Sequence, residues 1–222
     1  MMVLSQIYPR LIAWILDLLH RRTKQAFIVE LNGLKVQICP HVFNPLIGRT
    51  TKFFIQHMQI HPFSRVLEIG TGTGAIAAAA AQAGGHLTAT DINPYAIQCA
   101  RTTMRLNNLQ NRVSVLSGDL FEPVKNQTFD VVLFNPPYLA SKASSWIAQA
   151  WSAGPQCKLI ARFLSGAHQV LVKGEQIQIL FSSATVLTTI LQMIRKEGYD
   201  IQVIAQGRLL GLLETVYLFQ LL

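Results

Sequence analysis

Charge is scarce in this sequence, and so is cysteine. Charged residues fill 14% of the 222 positions, against 50% apolar ones. That balance excludes a disordered chain, because burying so much apolar surface offsets the entropy lost on ordering. Cysteine occurs only at positions 39, 99 and 157, with no Cys-x-x-Cys pair and no Cys/His cluster. Neither a disulfide framework nor a zinc site is expected, no metal is implied, and the thiols read as reduced ones in a cytoplasmic protein. The apolar stretch Leu11–Leu19 is nine residues long and carries Asp17. A membrane-spanning helix needs ~20 apolar residues, so no stable membrane insertion is expected. No basic residue precedes Arg10 and no small-residue cleavage site follows the stretch, so it does not read as a signal peptide. His41, His57, His61, His86 and His168 are scattered, and no Ser/His/Asp or Cys/His constellation offers a nucleophile.

What charge there is lies unevenly. Residues 1–65 hold eight basic residues against Asp17 and Glu30, whereas the remainder is nearly balanced, within a formal net charge of +8. A basic lobe beside a neutral one suggests contact with an anionic partner, an RNA or an acidic protein. In this lobe Leu11, Trp14 and Leu18 share one face of an apolar helix that ends in Arg21, Arg22 and Lys24. The basic lobe is expected to be a docking surface, not a second active site. A hairpin follows over 26–39, turned by Asn32-Gly33, whose residues tolerate positive φ.

From position 65 the pattern alternates. Strands are predicted over 65–69, 86–90, 112–116, 129–134, 176–182, 201–205 and 215–221. Helices are predicted over 50–60, 75–83, 94–107, 157–172 and 186–197. Asn93 and Pro94 supply the cap and first position of the helix that follows them. Such alternation implies an α/β fold: a mainly parallel seven-stranded sheet with helices on both faces, preceded by the short helix and hairpin. Only residues 206–214 join the last two strands, too few for a parallel crossover, so the last strand is expected antiparallel. Residues 1–41 read as an extension and 42–222 as the main domain. Ligands in such sheets bind at the carboxyl ends of strands, and the unusual residues all fall there.

The first of these is Glu68-Ile-Gly-Thr-Gly-Thr-Gly74. Glycines at a strand-to-helix turn let the backbone approach a ligand closely. Gly70-x-Gly72-x-x-Ala75 also satisfies a relaxed dinucleotide fingerprint, with Asp91 at the ~20-residue distance, so the turn alone does not name its cofactor. A carboxylate at Glu68 suits a cationic ligand better than a pyrophosphate. Asp91, ending the second strand, can accept ribose hydroxyls. Asp119, ending the third, can accept an adenine amine or cap the turn before Phe121. The fourth strand ends in Asn135-Pro136-Pro137-Tyr138. Two prolines stiffen the turn. The Asn135 side chain and the Pro136 carbonyl then form a pair of aimed acceptors for a planar –NH₂ group, with Tyr138 as an aromatic wall.

These residues, in this order, resemble a class I S-adenosylmethionine-dependent methyltransferase. More closely, they resemble the HemK-like group of release-factor glutamine N5-methyltransferases, within the small-domain methyltransferases that include rRNA guanine and adenine N-methylases. The resemblance runs from about residue 42. Val42-Phe43-Asn44-Pro45 is similar to the family's segment before its first helix. Ala150-Trp-Ser-Ala-Gly154 with Ile160-Ala-Arg-Phe-Leu164 is similar to the helix start of the short branch. Gly48 and Arg49 stand where that branch usually has an acidic residue.

The resemblance implies S-adenosyl-L-methionine as cofactor, held by Glu68, Gly70, Thr71, Gly72, Gly74, Asp91, Ile92, Asp119, Leu120 and Asn135. It implies Asn135, Pro136 and Tyr138 as catalytic residues, and Phe43 with Asn135 to Tyr138 as the acceptor-binding set. The expected acceptor is a protein glutamine, with a translation factor as partner. A nucleobase amine of RNA or DNA and a small-molecule amine present the same planar nitrogen and stay open.

Overall fold

The computed structural model describes residues 11, 13–139, 141–183, 187–209 and 214–222. The first described element is a helix over 13–20, here α1. Strands β1 (Phe27–Leu31) and β2 (Leu34–Ile38) follow and pair antiparallel. Asn32 and Gly33 join them at φ 52° and 77°, as a tight two-residue turn requires. Two helices, α2 (Pro45–Gly48) and α3 (Thr50–His57), lead into the main sheet.

That sheet is built from β3 (Arg65–Ile69), α4 (Ala75–Gln82), β4 (His86–Asp91), α5 (Pro94–Leu106), β5 (Val113–Ser117) and β6 (Phe129–Phe134). It continues through α6 (Trp146–Gln149), α7 (Lys158–Ala167), β7 (Leu171–Ser182), α8 (Leu187–Lys196), β8 (Ile201–Leu209) and β9 (Glu214–Leu221). The spatial order of its seven strands is β5-β4-β3-β6-β7-β9-β8. All pairs are parallel except those of β9, which runs antiparallel to both neighbours. The expected α/β architecture, with its antiparallel last strand, is the observed one.

Alternate residues of each strand feed opposite cores. Val66, Leu87, Val131 and Leu133 face α4, α5 and the hairpin, while Leu67, Ile69, Val132 and Phe134 face α7 and α8. The hairpin docks by its β2 edge on α5. Gln37 N–H donates to Thr103 Oγ1 at 3.0 Å, Lys35 N–H donates to Asn107 Oδ1 at 3.0 Å, and Asn107 Nδ2 returns a bond to the Lys35 carbonyl at 2.7 Å. An edge that would otherwise offer open backbone groups is thereby satisfied.

Three differences from the sequence reading have local causes. The helix expected over 157–172 ends at Ala167, because Phe129 N–H takes the Val170 carbonyl and Leu171 pairs with Phe129 in the sheet. The strand expected to stop at Ala205 continues to Leu209. There Gly207 fits beside α3, because the Phe53 ring lies where a Cβ would stand, at 2.5 Å. Residues 210–213 and the expected helix start at Val186 lie outside the described residues.

The third difference concerns the cysteines. Cys39 and Cys99 form a disulfide across a Cα–Cα distance of 6.1 Å, tying the end of β2 to α5, while Cys157 is free and buried. Sixty residues separate the pair. Only the docking of the hairpin brings them together, and spacing alone does not carry that. Among the described residues no helix is long and apolar enough to cross a membrane.

Candidate active site

Strand order reverses between β3 and β6, which lie side by side with Ile69 opposite Phe134. One residue beyond that pair stand Gly70 and Asn135. A cavity of about 490 Å³ opens at these carboxyl ends, a size suited to a small-molecule ligand. It gathers Glu68, Gly70, Thr71, Gly72, Asp91, Ile92, Asp119 and Leu120 at one end, and Phe43, Asn135, Pro136, Pro137 and Tyr138 at the other.

The glycine turn is fixed by its own main chain. Thr71 N–H donates to the Thr90 carbonyl at 3.0 Å and Gly74 N–H to the Thr71 carbonyl at 2.8 Å. A Cβ on Gly72 would meet nothing within 4 Å, so the cavity side of the turn is open for close approach of a ligand. Gly74, expected in the cofactor set, is not in the cavity wall. Its φ of +79° and the closeness of α5 explain it instead: a Cβ would lie 2.8 Å from Met104 Cε and 3.0 Å from Ala100 Cα.

Glu68 was expected as a carboxylate facing its ligand. It lies buried beneath the turn, accepting the Thr71 hydroxyl at 2.5 Å. Burial, with Asp91 nearby, pushes its carboxyl up to about 8 despite that bond and a backbone bond from Ala77.

Asp91 is also raised by burial, against backbone hydrogen bonds. Its two oxygens accept Gly72 N–H at 2.8 Å and Asn93 N–H at 2.9 Å. The Ile92 N–H also favours its ionised form, and the carboxylate keeps acceptor capacity for a hydroxyl donor. Asn93 caps α5 by accepting Tyr95 N–H, as expected, and its Nδ2 also donates to the His41 carbonyl at 2.8 Å. Asp119 makes no side-chain cap. It pairs with Arg162 of α7 at 2.7 Å across the cavity mouth.

At the other end Asn135 Nδ2 points to Thr50 Oγ1 at 3.5 Å, which leaves Oδ1 as the side chain's acceptor. Pro136 is buried, while Pro137 and Tyr138 are half-buried. Trp146 and Trp151 complete an aromatic wall with Phe43 and Tyr138.

Sequence reasoning missed Leu16, Thr50, Trp146, Trp151 and Arg162 as cavity residues. For Trp151 and Arg162 the signal was the pair of segments Ala150–Gly154 and Ile160–Leu164. Leu16 brings the N-terminal helix, expected as a docking surface, to the cavity wall as well. Leu11, Trp14 and Leu18 do share an exposed face, but Leu16 looks into the cavity.

Residues 35–207 match the family model described as methyltransferase small domain. A putative protein N5-glutamine methyltransferase of Methanocaldococcus jannaschii is 34% identical over 185 residues, which cover 81% of this chain and 91% of that protein. A release factor glutamine methyltransferase of Rhodopirellula baltica is 36% identical over 134 residues, covering 54% of this chain and 45% of its own length. This chain thus spans less than half of that second relative. Among solved structures, the E. cuniculi Mtq2–Trm112 complex, described as methylating the eRF1 translation termination factor, superposes with a TM-score of 0.62 at 20% identity, covering 82% of this chain and 98% of that one. A methyltransferase of Pyrococcus furiosus does so at 0.65 and 21% identity, covering 86% and 90%.

Proposed function

As the chain belongs to the methyltransferase small domain family, we propose that it transfers a methyl group from S-adenosylmethionine to the side-chain amide nitrogen of a protein glutamine, with a translation release factor as acceptor. The M. jannaschii relative, matched over nearly its whole length, supports the glutamine. The R. baltica relative supports the release factor. The single structural observation that carries the reading is the shared cavity: the glycine turn and the Asn135–Tyr138 segment open into it from neighbouring strands.

The residues present fit the cofactor. Gly70 and Gly72 leave room beside the backbone, Asp91 offers lone pairs for ribose hydroxyls, and Asp119 with Ile92 and Leu120 provides an adenine place. The buried Glu68 carboxyl compensates a positive charge. When bound, S-adenosylmethionine supplies an electrophilic methyl group.

The chain's own residues prepare the acceptor. An amide lone pair is delocalised and weakly nucleophilic. Hydrogen bonds from the –NH₂ group to Asn135 Oδ1 and the Pro136 carbonyl enrich and aim that nitrogen. Phe43 and Tyr138 hold the amide plane between aromatic faces. Orientation of this kind can supply on the order of 7 kcal/mol. No base is needed before attack, since the product loses its proton to water, and no histidine is used for it.

The exposed face of α1, with Arg22 and Lys24 beside it, is read as the surface that meets the acceptor protein. A cytoplasmic setting accords with that partner. The basic lobe would also suit RNA, but Arg21 and Arg65 are paired with Asp17 and Asp130 at 2.6 Å each, which leaves it less free charge than its composition suggests. Methyl-labelled cofactor incubated with a cell extract and then with purified release factor tests the reading. Label on a glutamine of the factor is the expected result. Label in RNA, with the factor unlabelled, overturns it.

A further inference from the structure

Helix α1 brings a second residue to the cavity besides Leu16. His20 stands behind the wall, 5% exposed. Three segments that wall the acceptor end meet at its ring. Nδ1 bonds the Leu16 carbonyl one turn back at 2.7 Å. Nε2 takes the Asn44 backbone N–H at 3.0 Å. The ring lies against Phe43 and Trp151, with centroids 5.1 and 5.2 Å away. A carbonyl only accepts and an N–H only donates, so this network assigns the neutral tautomer with its hydrogen on Nδ1.

We propose that His20 is a positioning residue for the methyl acceptor: neutral and bonded at both nitrogens, it pins α1 to the Val42–Pro45 segment, so that Leu16 and Phe43 close the acceptor end of the cavity over Tyr138. The inference rests on the amide-methyltransferase reading of the site. The Asn44 side chain is already committed to capping α2 through Leu46 N–H at 3.0 Å. Without His20 its own buried N–H has no partner, and a buried unpaired donor carries the full desolvation penalty.

Protonation has the same effect. An imidazolium has two donors and no acceptor, so it would oppose the Asn44 N–H donor to donor. The groups facing the ring are few. From α1 come Asp17 and its partner Arg21. The Val42–Pro45 segment and residues 146–153 contribute no titratable side chain. Burial outweighs Asp17 and holds the ring below its ordinary value. The neutral form therefore prevails at neutral pH, and the latch opens only as pH falls well below it.

The test uses the full chain with purified release factor as acceptor, comparing His20→Ala and His20→Gln. Cofactor dissociation constants come from calorimetry, and acceptor KM and kcat from methyl transfer between pH 5 and 8. In His20→Ala the acceptor KM is expected to rise at least about tenfold, the equivalent of roughly 1.4 kcal/mol, with cofactor affinity little changed. His20→Gln, whose amide oxygen can take the Asn44 N–H, should recover most of that loss. In the wild type KM should rise in acid, and that rise should be absent from His20→Gln.

An unchanged KM in folded His20→Ala overturns the proposal. So does a parallel loss of cofactor affinity and KM that glutamine does not repair, which is the mark of a merely structural residue. Should His20→Ala fail to fold, nitrogen–proton NMR of the wild type decides. A neutral Nδ1–H ring and a slowly exchanging Asn44 amide are expected, and a charged ring at pH 7 overturns the inference. The NMR readout needs no acceptor, so an unmethylated release factor refutes the acceptor assignment separately.

Discussion

The two ends of the cavity are built by different means. The cofactor end is made of main chain: a glycine turn bonded to β4, and a carboxylate held on both oxygens by backbone N–H groups. These parts lie within residues 68–120, with Arg162 reaching in to pair with Asp119. The acceptor end is made of side chains. Leu16, Phe43, Thr50, Tyr138, Trp146 and Trp151 come from distant segments, and a single buried histidine joins three of those segments. Backbone geometry of this kind is set locally and resists substitution of neighbours, whereas a wall of side chains can be remodelled one residue at a time. On the proposed reading, the general chemistry sits in the first and the choice of acceptor in the second.

Breaking one end should leave the other working. Asn135→Ala removes an acceptor of the substrate nitrogen. It is expected to lower kcat by about a hundredfold or more while leaving cofactor affinity nearly intact, since misplacing a reacting group costs on that order. Equal loss of cofactor binding in calorimetry would make Asn135 a turn residue of the cofactor end instead. Asp91→Ala is the converse case. It removes a charged acceptor and frees the Gly72 and Asn93 amides. Cofactor affinity should fall about tenfold or more, with acceptor KM little changed.

Glu68 offers a subtler test. Its carboxyl is raised to about 8 in the folded protein, so it is protonated below that pH. A cationic ligand favours the ionised form and expels the proton. Affinity for S-adenosylmethionine should therefore climb with pH and level off above about 8, and calorimetry in buffers of different ionisation enthalpy should register proton release. Glu68→Gln should abolish that release. Stability has its own sign. A buried acid with a raised value favours folding less as pH rises between its unfolded and folded values, so Glu68→Gln should gain stability relative to wild type in alkaline melts.

The smallest effect is expected at Arg162. Its ion pair with Asp119 is half exposed, and such pairs contribute ~0–1 kcal/mol. Arg162→Ala should shift cofactor affinity by about fivefold at most. A larger drop would show that the arginine touches the ligand directly.

This contrast also explains what the sequence could disclose. Glycine turns, carboxylates at strand ends and paired prolines are local signals, so the turn, Asp91 and Asn135–Tyr138 stood out as candidates, and the structure brings them to one cavity. The strand alternation gave the sheet and its antiparallel last member. The misreadings arose where tertiary partners decide. The helix after Cys157 stops where Leu171 pairs with Phe129, the strand expected to end at Ala205 runs on to Leu209, and Cys39 meets Cys99 only once the hairpin docks. His20 was invisible for the same reason. A lone histidine at the end of an apolar helix carries no motif, and its partners Asn44 and Trp151 lie 24 and 131 positions away.

The pairing of Ile69 with Phe134 has one more consequence. On the proposed reading, the turn for the methyl donor and the loop for its acceptor leave the sheet at the same level on adjacent strands, whose separation is ~4.8 Å. The sheet then acts as a ruler between the two reactants. Its graduations are ladder hydrogen bonds, which no side chain of the wall sets. Helix α1 and the aromatic segments can diverge to greet new acceptors while that distance stays constant. A one-residue slip of β6 against β3, by contrast, would turn every side chain of the strand to the opposite face and spoil both halves together.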